Sequence, residues 1–119
     1  MAAQNIVLGV ENRLGVTAAG VTDWILLNNH RSTYPVGISV YHNGSTTAFS
    51  AAVEYTFSKD PDTAPANSVR EHKYLKGLSE ATAADELDGN FSVPVTAVRL
   101  NVASITGGEL FISVIQAGV

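Results

Sequence analysis

Apolar and polar residues alternate with period two over much of this chain. In residues 48–57, Phe49, Ala51, Val53, Tyr55 and Phe57 fall on one face, and Ser50, Ala52, Glu54 and Thr56 on the other. Alternate side chains of a strand point to opposite faces, so this spacing predicts a half-buried strand. In residues 95–103, Thr96, Val98, Leu100 and Val102 share a face opposite Ala97, Arg99 and Asn101. In residues 109–116, Leu110, Ile112 and Val114 form one face, and Phe111, Ser113 and Ile115 the other, which predicts a last strand covered on both sides. Residues 5–10, 24–27 and 36–42 read as shorter strands, and 13–22 is ambiguous. The predicted core is Val53, Tyr55, Val98, Leu100, Ile112 and Val114, with Trp24 read as core too.

Turn residues punctuate these runs. Asn43-Gly44 between two alternating segments predicts a hairpin, because a type I′ turn needs positive φ at both central positions. Gly107-Gly108 predicts a second hairpin between the last two strands. Pro35 and Pro94 stand where strands open, a place that tolerates the missing N–H.

Residues 58–90 break the pattern. They contain Asp60-Pro61-Asp62, Pro65 and two weakly helical patches. In the first, residues 68–76, Val69, Lys73 and Lys76 are spaced like one helix face, with Tyr74 and Leu75 adding bulk. The second, 79–87, is rich in Ala and Glu. A connection this long is unusual in a compact domain. Six or seven short strands and one long connection predict an all-β, two-sheet sandwich of jelly-roll or Greek-key type, with a long loop carrying short helix. An up-and-down barrel needs more strands than the pattern supplies. The strands after the long segment have no core of their own, so residues 1–119 read as a single β-sandwich domain.

Composition narrows the function. The net charge of −4 argues against wrapping nucleic acid by phosphate neutralisation. Only 15% of residues are charged, which leaves a surface of Ala, Ser, Thr, Asn and Gly compatible with burial in an assembly. With no cysteine, disulfides and thiolate metal sites are excluded. Met1-Ala2-Ala3-Gln4-Asn5 has no basic region ahead of an apolar core, and no run approaches membrane-spanning length. The expectation is a chain made in the cytoplasm, with neither nucleic acid nor membrane as partner. The sequons at Asn43 and Asn90 then read as chance matches.

Tests for chemistry fail one by one. His30, His42 and His72 lack metal-binding spacing. Asp60 and Asp62 have oxygen donors, as has the run Asp85, Glu86, Asp88 and Asn90. The latter lacks the alternate ligands and distal Glu of a calcium loop, so Asp88-Gly89 reads as a solvated turn. There is no nucleophile elbow, no phosphate-binding loop and no dinucleotide fingerprint. Phe49, Tyr55 and Phe57 alternate with Ser50, Ala52 and Glu54 instead of basic residues, which suits a core better than a nucleic-acid platform. The expected enzyme, cofactor and metal content is none. Arg99 sits mid-strand opposite the apolar face; it reads as paired across to a residue such as Glu54, with an interface ion pair as the alternative.

The C-terminal third, with Phe91-Ser92-Val93-Pro94-Val95-Thr96-Ala97-Val98-Arg99-Leu100-Asn101-Val102, then Thr106-Gly107-Gly108, then Val114-Ile115-Gln116-Ala117-Gly118, resembles the ending of small virion-associated structural proteins of tailed bacteriophages. The stretch Ala52-Val53-Glu54-Tyr55-Thr56-Phe57 followed by Asp60-Pro61 resembles a central strand of the same proteins. The resemblance covers about half the chain and is a pattern of strand residues with no catalytic signature. It implies a virion structural protein synthesised in the bacterial host cytoplasm, similar to capsid decoration or cement proteins that bind the major capsid protein. A head–tail connector or tail accessory protein is the alternative. A carbohydrate- or receptor-binding sandwich is the reading from another class, with Trp24, the run Asn28-Asn29-His30-Arg31 and Tyr34 as its candidate cluster.

Contacts to neighbouring subunits are expected from residues 58–90 and the N-terminal arm. The reasoning is that the alternating strands fill a sandwich without that segment, which nonetheless carries apolar groups. The candidate interface residues are Val69, Tyr74, Leu75, Leu87 and Arg99, and a homo-oligomer such as a trimer would bury them.

Overall fold

The computed structural model describes residues 3–28, 36–79, 87–91 and 95–116. In chain order the strands are β1 (Gln4–Asn5), β2 (Asn12–Val16), β3 (Gly20–Val21), β4 (Ile25–Leu26), β5 (Val36–His42), β6 (Ala48–Thr56), β7 (Val69–Glu71), β8 (Leu78–Ser79), β9 (Leu87–Phe91), β10 (Ala97–Thr106) and β11 (Leu110–Gln116). They form two sheets. The larger runs β1-β4-β10-β6-β7, with β3 also on β10 and β8 also on β6; the smaller runs β2-β11-β5-β9.

The inward faces of both sheets build one core. Val98, Leu100 and Val102 of β10 and Ala51 and Val53 of β6 meet Ile112 and Val114 of β11 and Ile38 and Val40 of β5. This is the two-sheet architecture that the period-two pattern predicts, and five of the six expected core residues are fully buried. Tyr55 is half-buried and packs against the core from its edge.

Register explains where the pattern stopped being readable. Leu100 pairs with Val53 and Val102 with Ala51, but then Ser104 pairs with Ser50, so Ala103 is an extra residue on β10. The bulge inverts the alternation, and β10 continues three residues past its predicted end.

Both predicted hairpins are corrected. Asn43-Gly44 joins β5 to β6, and Gly107-Gly108 joins β10 to β11, but each pair of strands lies in different sheets. The glycines are needed for a crossing. Gly107 and Gly108 have φ of 72° and 63°. A Cβ on Gly107 would stand 2.8 Å from the carbonyl oxygen of Ser45, and one on Gly108 2.7 Å from the backbone nitrogen of Thr46. The two crossings thus pack against each other at one end of the sandwich. The predicted strand at 5–10 is only the two-residue β1 followed by a turn.

The first helical patch is also corrected. The residues described as turns there are Ala66–Ser68 in a 3-10 turn, followed by strand β7. Strand pairing wins because β6 offers a free edge: Thr56 and Glu54 pair with Val69 and Glu71. The second patch lies largely outside the described residues, with its ends, Ser79 and Leu87, in β8 and β9. Pro35 and Pro94 also lie outside them.

Candidate functional site

The long segment completes the larger sheet instead of hanging from it. β7 and β8 are two parts of one edge, both paired to β6. Between them the chain bows outward but stays bonded to β6, with His72 N–H donating to the Val53 carbonyl at 2.8 Å and Val53 N–H donating to the Leu75 carbonyl at 2.7 Å. The bow sends three of its side chains in different directions. Leu75 enters the core and is 2% exposed, Tyr74 points to solvent at 74%, and His72 is buried. Leu75 as an interface residue is therefore corrected: it is a core side chain, and the fold does need this segment.

His72 fastens the two sheets together. Its Nε2 is 2.8 Å from the Asn90 carbonyl on β9. Its Nδ1 accepts from the N–H groups of Tyr74 at 3.1 Å and Leu75 at 3.2 Å. Two donors facing Nδ1 assign the proton to Nε2, so the ring is the neutral tautomer donating to Asn90. The ring also stands edge-on to Phe91 at 4.9 Å, and Phe91 stands edge-on to Tyr55 at 5.3 Å. Gly89 belongs to this packing, since a Cβ there would lie 2.8 Å from Leu75 Cδ1. Asp88-Gly89, expected as a turn, is therefore the middle of a strand.

Between this bow and β9 lies an open cleft of about 550 Å³, lined by Tyr55, His72, Lys73 and Tyr74 on one side and residues 88–91 on the other. The Asn90 carbonyl turns away from β5 toward His72. In an antiparallel strand the N–H and C=O of one residue share a side, and the side alternates along the chain. Asn90 N–H and both backbone groups of Asp88 therefore face the same edge of β9, with which no strand among the described residues pairs.

A second feature is apolar and exposed. The turn between β1 and β2 exposes Val7 at 59% and Val10 at 51%. It is held from within by Asn12, whose Oδ1 accepts from Val7 N–H at 2.9 Å and whose Nδ2 donates to the carbonyls of Val7, Val10 and Val114 at 3.0, 2.9 and 3.2 Å. Gly9 N–H bonds the Gln116 carbonyl at 2.8 Å, which seats the turn at the end of β11 beside Ile115, itself 46% exposed. The expectation that β11 is covered on both faces is thus corrected. On its outer face Phe111 stacks on Tyr41 at 5.2 Å, under the Arg13 guanidinium at 5.0 Å from the ring centroid. The Tyr41 hydroxyl, which accepts a hydrogen bond from Arg13, raises the guanidinium's pKa above its ordinary value.

The remaining candidates fall as follows. Val69 is half-buried in β7, and Leu87 is half-buried and packed against the core from β9. Arg99 pairs across the sheet with Glu54, Nε to Oε1 at 2.8 Å, and roofs the Trp24 ring at 4.3 Å. Asn101 Nδ2 donates to the other Glu54 oxygen at 3.1 Å. Trp24 is buried, but on the outer face of the larger sheet and outside the inner core. Phe57, expected on the core face, lies past the end of β6 and is exposed, tilted against Tyr55 at 5.8 Å. Most of the run 28–34 lies outside the described residues, as do His30, Asp85 and Glu86. Among the described residues no three His, Asp or Glu side chains gather to hold a metal, and no helix is long and apolar enough to cross a membrane. Sequence reasoning missed Val7, Val10, Asn12 and the role of His72; a lone Asn and a lone His carry no periodic signal.

Two of the stretches that carry the bacteriophage resemblance lie on neighbouring strands, β6 and β10, with Glu54 opposite Arg99 and Tyr55 opposite Val98. Searches of protein-family models, curated proteins and solved structures give no match to this chain.

Proposed function

We propose that this chain is a structural protein of a tailed-phage virion, a capsid decoration protein that binds the major capsid shell. The observation that carries the reading is the preorganised apolar turn at Val7 and Val10, bonded through Gly9 to the end of β11, where Ile115 is also exposed. Exposed apolar groups held rigidly cost little conformational entropy when a partner covers them. The resemblance of 52–57 and 91–118 to virion proteins supplies the class of partner. The connections between sheets, from β5 to β6 and from β10 to β11, are read as those of a Greek-key sandwich. Self-association, as in a trimer, is part of the proposal, since a shell lattice presents symmetric sites.

The test is co-sedimentation of purified chain with capsids assembled without it. Wild type is expected to pellet with the shells, and the double variant Val7→Ser, Val10→Ser to bind at least tenfold more weakly with an unchanged melting temperature. No association with shells overturns the decoration reading. Imaging that places the chain only at one vertex or on the tail replaces it with the connector or tail-accessory reading.

A further inference from the structure

The cleft between His72 and β9 has the chemistry of a small-ligand site. Its volume of about 550 Å³ lies within the ordinary range of such sites, about 300–1,000 Å³. Its walls are aromatic: Tyr74, largely exposed, on one side, with Tyr55 and Phe91 set edge to face at 5.3 Å deeper in. Gly89, between Asp88 and Asn90, lets Leu75 and the His72 ring pack closely against β9 at the base of the cleft. The polar groups are mixed. Asp88 and Asn90 are exposed, and neither side chain is hydrogen-bonded among the described residues. The free edge of β9 adds backbone donors and an acceptor, and Lys73 sits above the Tyr74 ring at 5.3 Å.

These features select among occupants. An added peptide strand would need every backbone group along that edge of β9, but the Asn90 carbonyl is already taken by His72, which interrupts the run. An anion meets the Asp88 carboxylate, and a cation meets Lys73, so neither sign of charge is favoured. Water-like hydroxyls, each both donor and acceptor, match the mixture of N–H, C=O, carboxylate and amide. Tyrosine presents an apolar face for the C–H side of a sugar ring and a polar tip for its hydroxyls. We propose that the cleft binds a neutral saccharide, packed on Tyr74 and hydrogen-bonded along Asp88 and Asn90. The site stands independently of the assembly reading, because it lies at the β9 edge of the smaller sheet, with β5 and β11 between it and β2 beside the Val7–Val10 turn.

The experiment screens full-length protein on an array of neutral, acidic and basic oligosaccharides. The neutral binders are then titrated while amide NMR shifts are followed. Saturable shifts confined to residues 72–74 and 88–91 are expected, with binding at least tenfold weaker in Tyr74→Ala and in Asp88→Ala. Val7→Ser, Val10→Ser should bind the sugar like wild type, which separates this site from shell binding. The proposal is overturned by no neutral binder at millimolar concentration, by binding confined to charged glycans, by shifts elsewhere on the protein, or by undiminished binding in Tyr74→Ala.

Discussion

Replacing His72 by Phe would keep an aromatic ring beside Phe91 but remove its hydrogen bonds to Asn90, Tyr74 and Leu75. A buried polar group left unsatisfied costs about 1–3 kcal/mol. His72→Phe is therefore expected to lose at least that much stability in urea unfolding, and a variant as stable as wild type would refute the clamp. The neighbours Tyr74 and Leu75 give a sharper contrast. Leu75→Ala removes a core side chain and should cost about 2–5 kcal/mol. Tyr74→Ser alters an exposed position and should stay within about 0.5 kcal/mol of wild type. Equal losses at both positions would show that the bow does not separate core from surface as described. Leu100→Ala, on the other side of the same core, belongs with Leu75 in the first class.

Among the elements, the crossings between sheets are the most demanding. Gly107 and Gly108 combine positive φ with close approach to the other crossing. An L-residue in the left-handed region costs about 1–2 kcal/mol before any clash is counted. Gly107→Ala is expected to lower the melting temperature clearly, whereas Gly44→Ala, where a Cβ meets nothing within 4 Å, pays only the backbone term. Comparable melts for the two variants would show that the packing of one crossing on the other contributes nothing. The β6–β10 pair is tied on its outer face by Glu54, Arg99 and Trp24. Contacting residues of this kind couple by about 0.5–3 kcal/mol. A double-mutant cycle on Glu54→Ala and Arg99→Ala should return a favourable coupling, weakened by salt because the pair is not fully enclosed.

At the scale of the molecule, two features lie outside the finished core on opposite edges of the smaller sheet: the apolar turn beside β2 and the aromatic cleft beside β9. One is exposed, apolar and internally braced, which suits a protein partner. The other is concave with mixed polarity, which suits a small polar ligand. Treatment with EDTA is expected to leave the melting temperature unchanged, since the described residues gather no ligand set. A drop restored by calcium would instead point to the acidic residues just before and within β9.

The amino-acid sequence by itself determined the all-β class, the inward faces of β6, β10 and β11, and the two-sheet core they build. Those properties follow from period-two alternation, which is local and survives in any register that buries one face. Tertiary structure alone decided which strands pair. Asn43-Gly44 and Gly107-Gly108 carry the residues of a hairpin, and only long-range contacts between the two turns make them crossings. Residues 68–76 have spacing near a helix's, yet the open edge of β6 draws Val69–Glu71 into a strand, because backbone hydrogen bonds to an existing sheet outweigh a weak local preference. The same holds at His72 and Asn12. Each acts through partners brought from 18 and 102 residues away along the chain, Asn90 and Val114, and no local pattern can encode a contact that exists only once the sheets have met.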